Sequence, residues 1–500
     1  MSRTETIIDC YTDEPAGLGV PPFLGVWPRY AAGRSTLLTA GQHDEQPTYL
    51  TIDDLRWLLY QSKPRPVVID PLTGRTRIEV LNCTRSAEEV RQILGDTDQV
   101  TIIAGVQTPG KYLSARPGTL NEIVKLLSGF KGTKILTGPA VTCGTQMRGG
   151  SRAKMPDEGQ FDELRSLSFD TYDQLQPYAI KGSAIYKQFP RKQNCIVEIE
   201  TGRGCPRSPG CSFCTEPIKN TLQWRKAQDI IDEVKTFMAL GANAFRLGKQ
   251  SCIFSYNGGN LNSIRQLLSG AANLGPRVLH IDNVNPAMVS EECTKLFVEY
   301  CTPGSTAAMG VESFDPVVTK ENNLNCPYDM AFEVIRIINK VGGFRGENGC
   351  HALLPGINIL LGLKGETPET LDRNFAALKR ILDEGLLIRR INIRQVVPFP
   401  GTDLYKEIGR RFLRTNRRYY PAWIEKVRRE IDVPMLRRLF PPGTILHRVC
   451  SEVHNGNVTF LRQVGSYPIV VRVLRRLPLG EFFDVRVTGY MLRSLAAELV

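Results

Sequence analysis

The 500-residue sequence contains no run approaching the roughly 18 consecutive apolar residues that a membrane-spanning helix needs. It has no apolar h-region near its start: MSRTETIIDCYTDEP turns acidic at once, so no signal peptide is expected. Low-complexity tracts are absent. The thirteen cysteines are an odd number, and without an export signal a disulfide framework is not expected. These absences leave a cytoplasmic chain with no membrane partner. Its cysteines are then metal ligands, redox groups or small buried side chains.

What is present fits a soluble globular protein: 42% hydrophobic and 23% charged residues. The length calls for roughly two to four domains. The formal charge of +12 is unevenly spread, because residues 401–500 hold 18 Lys+Arg against 9 Asp+Glu. Such a basic surface attracts polyanions, nucleic acid above all, or is a solvated face that aids solubility.

Residues 1–185 alternate strand-like and helix-like signals. Thr51–Asp54 forms a capping-box variant before LRWLLY, and Ser86 and Thr119 are N-caps for EEVRQIL and NEIVKLL. QVTIIAG and TKILTG read as buried strands running into Gly/Pro loops, the pattern of a Rossmann-like, doubly wound α/β domain. Residues 186–400 repeat a βα unit, with strands expected at Ile196–Glu200, Ala244–Gly248, Val278–Asp282, Thr306–Val311, Ile357–Leu361 and Ile391–Val396. Strands joined by helices are parallel, and six units make a partial (βα)6 TIM-like barrel rather than a closed one of eight. Residues 401–440 form an Arg-rich helical linker. Residues 441–500, with short alternating runs and regular glycines, read as a small antiparallel β-barrel.

The stretch that carries chemistry is Gly202-Arg-Gly-Cys205-Pro-Arg-Ser-Pro-Gly-Cys211-Ser-Phe-Cys214, directly after the first barrel strand. A Gly/Pro-rich loop can wrap three thiolates around a compact centre. Cysteine is the standard ligand of iron–sulfur clusters, and a four-iron cubane held by three thiolates keeps one iron open. Zinc would want a fourth Cys or His, and Cys195, inside the preceding strand, is badly placed to be one. A disulfide with a spare thiol is the third reading.

Further motifs fall at the C-terminal ends of the expected strands, the rim that carries active sites in parallel barrels. They are Arg246-Leu-Gly-Lys-Gln250, Ile281-Asp-Asn-Val-Asn285, Met309-Gly-Val-Glu-Ser313, Asn358-Ile-Leu-Leu-Gly-Leu-Lys-Gly-Glu366 and Arg394-Gln-Val-Val-Pro-Phe-Pro-Gly401. Each alone has a plain explanation, a turn glycine or a solvated charge. Together, in this order on one rim, they resemble the radical S-adenosylmethionine superfamily, most closely over residues 190–400. One departure is the cysteine spacing, five residues then two where the superfamily commonly has three then two.

The resemblance implies a 4Fe–4S cluster on Cys205, Cys211 and Cys214. Its open iron would chelate the methionine part of S-adenosylmethionine, and an electron from an external donor would break a C–S bond to give a 5′-deoxyadenosyl radical. It implies S-adenosylmethionine contacts from Gly248 and Gln250 near the methionine amino group. Glu312, with Ser313 beside it, would hold the ribose, while Gly362 would lie against adenine and Arg394 would complete the adenosine pocket. Phe213 is an adenine neighbour or a core aromatic.

The first domain resembles the cobalamin-binding-type domain of some radical enzymes, although its only histidine is His43 and the Asp-x-His-x-x-Gly ligand motif is missing. Cobalamin is therefore expected without a lower histidine ligand, or lost. Cys10, Cys83 and Cys143 faintly resemble the second-cluster cysteines of methylthiotransferases, and scattered buried cysteines are the favoured explanation. The last domain resembles the TRAM domain of RNA-modifying radical enzymes. Arg462, Arg472, Arg475, Arg476, Arg486 and Arg493, with Tyr467 and Tyr490, are its candidate RNA contacts. The expected activity is radical methylation or methylthiolation of RNA, transfer RNA in particular. Two alternatives stand beside it: modification of a protein side chain or small metabolite, and a non-catalytic cluster-bearing RNA-binding protein.

Overall fold

A computed structural model of the chain describes residues 4–12, 23–38, 46–60, 68–69, 76–77, 81–105, 116–146, 149–157, 159–167, 169–190, 192, 195–407 and 411–500. The first region holds strands β1 (Glu5–Asp9), β2 (Thr48–Thr51), β3 (Gln99–Ile103), β4 (Thr133–Thr137) and β5 (Glu163–Arg165). They form one parallel sheet in the order 2-1-3-4-5, a doubly wound arrangement with its switch point between β1 and β3. The caps lie where the sequence puts them. Ser86 closes a full capping box with Glu89, Thr119 accepts from the backbone of Glu122, and Asp54 accepts from the Thr51 N–H at 2.7 Å.

The central region builds a curved parallel wall from β6 (Ile196–Glu200), β7 (Ala244–Gly248), β8 (Val278–Ile281), β9 (Ser305–Glu312), β10 (Leu353–Leu361) and β11 (Arg390–Gln395). Beyond Asp282, β8 continues as Asn283–Val284, which pairs with β9. All the ladders between neighbouring strands run parallel. The helices Ala227–Ala239, Leu261–Ala272, Glu291–Tyr300, Tyr328–Gly342 and Pro368–Asp383 connect successive strands and supply the outer layer of one large apolar core. A two-residue strand, Phe23–Leu24, extends the wall on the free edge of β6. The helix that follows it, Val26–Leu38, is fastened by a buried ion-pair group. Arg29 donates to Glu233 at 2.7 Å and to the Glu198 carbonyl at 2.6 Å, and Arg225 bonds the other Glu233 oxygen.

The described residues of the Arg-rich segment, 401–407 and 411–440, fold as short helices, of which Tyr420–Val427 and Val433–Leu439 are joined by a π turn at Arg428–Asp432. This segment is packed rather than free: Leu413, Asn416, Tyr420, Trp423 and Arg428 are buried. The final region is a closed barrel of β12 (Ile445–Asn455), β13 (Val458–Gln463), β14 (Val470–Val473), β15 (Phe482–Tyr490) and β16 (Ser494–Leu499), in the order 12-13-14-16-15. An odd number of strands cannot close with every neighbour antiparallel, and the exception is the parallel pair β14–β16. The expected small antiparallel β-barrel is present, with that one ladder parallel.

The small barrel is seated on the wall through the loop between β13 and β14. Val464 packs against Ile196, Ala244 and Val278, at the N-terminal ends of β6, β7 and β8. The Ser466 N–H donates to Nδ1 of buried His280 at 3.0 Å, and Arg389 donates to the Tyr467 carbonyl. This loop closes the N-terminal mouth of the partial barrel.

Candidate functional site

The cysteine loop leaves β6 at its C-terminal end and is braced by two asparagines that follow the helix Pro316–Glu321. Asn322, fully buried, meets Ser212 at both its backbone carbonyl (3.0 Å) and its side chain (2.8 Å). Asn323 donates from its side chain to the carbonyls of Pro209 (2.7 Å) and Gly210 (3.0 Å). The extra loop residues also contribute chemistry. Arg207 donates to Cys211 Sγ at 3.1 Å and to the Asn323 carbonyl at 2.7 Å, which places a cation beside that sulfur. Arg207, Asn322 and Asn323 carry no local sequence signal. The Asn pair lies more than a hundred residues downstream of the loop it holds, and Arg207 stands out only as a charge inside the insertion.

Cys205, Cys211 and Cys214 are all half-buried on this loop. The Cys211 thiol is pushed up to about 11 by burial, with Arg207 opposing, and it feels the charges of Glu312 and Cys205. Burial likewise pushes the Cys214 thiol up to about 12, while the Glu216 N–H bonded to its sulfur at 3.4 Å acts against this. A cationic metal centre reverses that preference and takes such thiols as thiolates. Among the described residues, no three His, Cys, Asp or Glu side chains stand close enough to hold a single metal ion. Cys195 is buried at the far end of β6 from the loop, which leaves zinc without its fourth ligand. Three thiols and a neighbouring arginine suit an iron–sulfur cubane, whose thiolates bind separate irons.

The rim residues arrange themselves around this loop. Glu312 lies beyond a bulge in β9 with φ of 62°, a left-handed conformation that re-aims its side chain. Its carboxyl is pushed up to about 8 by burial, with the Arg394 guanidinium pulling the other way. Glu312 therefore lies within electrostatic reach of both Arg394 and Cys211. The Nε of Arg394 and the Nε2 of Gln250 are buried without a hydrogen-bond partner, while the other end of Gln250 is held by Thr201 at 2.9 Å. Buried donors of that kind are ready for a polar ligand.

Gly248 has a steric reason to be glycine: a Cβ would lie 2.8 Å from the Glu198 carboxylate that ties down Arg246. Gly362 has φ of +90°, donates to Glu366 at 2.8 Å and abuts Leu413 of the Arg-rich segment. Glu366 in turn is held by Asn416 and Tyr420, so this segment shores up the rim. Ser313 is turned away, into a buried network with Asn374 and Asp315. Phe213 is half-buried against the apolar core.

The N-terminal region reaches the same rim. Cys143 packs on Val397 and Phe399 beyond β11, and the Gly150 N–H donates to the Val396 carbonyl at 3.0 Å. Cys10 lies in the core of the first sheet and Cys83 is half-buried near Asp53, so these three cysteines belong to separate surroundings. His43 and most of the two loops that flank the switch point lie outside the described residues.

The six arginines of the small barrel do not form one surface. Arg462 is 2% exposed and ion-paired with Glu452 at 2.8 Å, so it is corrected from an RNA contact to a structural pair. The reason is its face: it points inward across the bulge at Ser451/Val453 that brings Glu452 beside it. Tyr467 sits at the mouth of the partial barrel rather than on a free face, and Tyr490 bonds the Phe440 carbonyl at 2.7 Å. Arg472 is half-buried. Arg475, Arg476, Arg486 and Arg493 are exposed, Arg486 within 3.6 Å of Glu498.

Two archaeal proteins are similar along almost the whole chain. The "Uncharacterized protein MJ0274" of Methanocaldococcus jannaschii is 42% identical over 548 aligned positions, covering 99% of this chain and 93% of the relative. An "Uncharacterized protein" of Archaeoglobus fulgidus is 35% identical, covering 98% and 89%. The chain belongs to the family of these two proteins. No protein-family model matches it.

Among solved structures it is similar to the radical S-adenosylmethionine methyltransferase TsrM from Kitasatospora setae, with tryptophan substrate and a SAM analog bound. That match has 14% identity and a TM-score of 0.48, and it covers 81% of this chain and 75% of that one. It is also similar to the cobalamin-dependent S-adenosylmethionine radical enzyme OxsB with aqua-cobalamin and S-adenosylmethionine bound. There the identity is 12% and the TM-score 0.46, over 85% and 56% of the two chains.

Proposed function

We propose that this chain is a radical S-adenosylmethionine enzyme that acts on a small molecule held inside the partial barrel. The carrying observation is the position of the cysteine loop. It opens from the C-terminal end of β6, and Cys211 lies within electrostatic reach of Glu312 and, through it, of Arg394. A 4Fe–4S cluster on Cys205, Cys211 and Cys214 would supply the electron that cleaves S-adenosylmethionine. The chain's part is to hold and orient. Arg207 stabilises the thiolate of Cys211. Glu312 and Arg394 offer an acceptor and a donor to the adenosine, and Gln250 offers its free amide N–H. The Arg-rich segment keeps Gly362 and Glu366 in place.

Cobalamin on the N-terminal sheet would make the activity a methyl transfer, and the docking of Cys143, Gly150 and Ala153 near β11 supports a route from that sheet to the rim. The choice of a small molecule over RNA rests on the small barrel. Its loop is spent on closing the N-terminal mouth, and Arg462 is spent on Glu452. The test is anaerobic reconstitution with iron and sulfide, followed by reduction with dithionite in the presence of S-adenosylmethionine. The proposal expects 5′-deoxyadenosine from the wild-type chain and none from Cys211→Ala. A reconstituted cluster with no cleavage would refute it. Cleavage accelerated by bulk transfer RNA, and lost on replacing Arg475 and Arg476 with Gln, would return the substrate to RNA.

A further inference from the structure

β11 carries three polar side chains on one face, Arg390, Asn392 and Arg394, while Ile391 is turned away and buried. Asn392 is tied to Asn358 on β10 at 3.1 Å, so this face looks into the barrel. Arg246 lies on the same side and is balanced by two acids, Glu198 at 2.5 Å and Asp282 at 3.7 Å. Arg394 faces Glu312. Arg390 has no acid. Its guanidinium lies over the Tyr467 ring at 4.9 Å, its Nη2 makes one long contact to Asn392 at 3.4 Å, and its Nε is buried without a partner. Burial above all pushes it down to about 10, with Tyr467 opposing and the neighbouring cations Arg394, Arg389 and Arg428 adding to the fall. Charges withdrawn from water are normally matched, and this half-buried guanidinium has only one long bond, to Asn392, and keeps its Nε for a further acceptor.

We infer that Arg390, with Asn392 and Tyr467, forms a subsite for a compact oxyanion, the carboxylate or phosphate of the small substrate. The location adds to the inference. Arg390 stands four residues below Arg394, about 13 Å along the strand. S-adenosylmethionine at the rim leaves Arg390 free for the far end of a second molecule, whose reactive carbon then lies between the two arginines. The loop carrying Tyr467 forms the floor of this subsite, which gives the small barrel a part in substrate recognition. The inference rests on the enzymatic reading only in calling the anion a substrate; the binding itself needs no cluster.

The experiment uses the full chain in chloride-free buffer, titrated with inorganic phosphate and separately with acetate, by calorimetry and by thermal shift. Either anion should bind and raise the melting temperature, and the stronger of the two identifies the group. Arg390→Met should weaken that binding about tenfold or more, as loss of a charge-assisted bond does. It should leave the melting temperature of the anion-free protein equal or higher, because an unmatched charge is replaced by an apolar chain. Arg390→Lys should fall between, and Arg475→Met should change neither reading. Equal anion binding by wild type and Arg390→Met would overturn the subsite, as would a clear loss of anion-free stability in Arg390→Met. Absence of binding to wild type would overturn it too. S-adenosylmethionine cleavage by the wild-type chain is read separately from anion binding, so failure of the subsite and failure of the radical reading give different results.

Discussion

The two mouths of the partial barrel are built on opposite principles. The candidate site residues of the C-terminal mouth lie on loops that follow their own strands, although Cys143, Gly150, Asn416 and Tyr420 brace that rim from farther along the chain. The N-terminal mouth is closed by a loop from another domain, with Val464, Ser466 and Tyr467 meeting Ile196, His280 and Arg390. Local order builds the first and long-range docking builds the second. The proposed chemistry belongs to the locally built end, and the proposed anion subsite to the docked end.

That contrast can be broken first at Arg462. Arg462→Ala strips the buried Glu452 carboxylate of the guanidinium that bonds both its oxygens, and should cost about 3–5 kcal/mol in chemical denaturation. Arg475→Ala, on the exposed side of the same barrel, should stay within about 0.5 kcal/mol. Equal effects would mean that the two arginines share one surface after all.

The docked mouth should also be acid-sensitive. Burial pushes the His280 imidazole down to about 4 from its usual 6.5. Between those values the unfolded chain binds the proton and the folded chain does not. Stability from this residue is therefore full above pH 6.5 and is lost as pH falls toward 4, by about 3 kcal/mol. Comparing denaturation of the wild type with His280→Gln at pH 7.5 and pH 4.5 reads this out, the gap between them narrowing in acid. A gap independent of pH would count against the docking described for Ser466.

A smaller effect belongs to the N-terminal domain, far from both mouths. Ser86→Ala removes the capping box of the helix Ala87–Asp96 and should cost about 1 kcal/mol, with no change in cluster content.

Much of the locally built end was legible in the sequence. The strands β6 and β7 have the expected bounds, as does the helix Glu291–Tyr300, because buried parallel strands read as continuous apolar runs between amphipathic helices. The cysteine loop and Glu312 share a rim because a parallel wall puts every loop after a strand at one end. The remainder depends on contacts distant along the chain. Nothing near Asn322 or Asn323 announces that they brace the cysteine loop. Arg462 looks like any exposed basic residue until the bulge in β12 brings Glu452 beside it. Tyr467 was an aromatic on a basic barrel, and only the docking of that barrel turns it inward over Arg390.

The central claim is that Cys205, Cys211 and Cys214 together hold a cluster with one open iron. It is tested most directly by electron paramagnetic resonance of the anaerobically reconstituted, dithionite-reduced chain, with iron and sulfide counted alongside. The account predicts about four irons and four sulfides per chain, a reduced-cluster signal that changes on adding S-adenosylmethionine, and loss of both in each single Cys→Ala variant. A cluster that survives replacement of any one of the three, or a signal indifferent to S-adenosylmethionine, would contradict it.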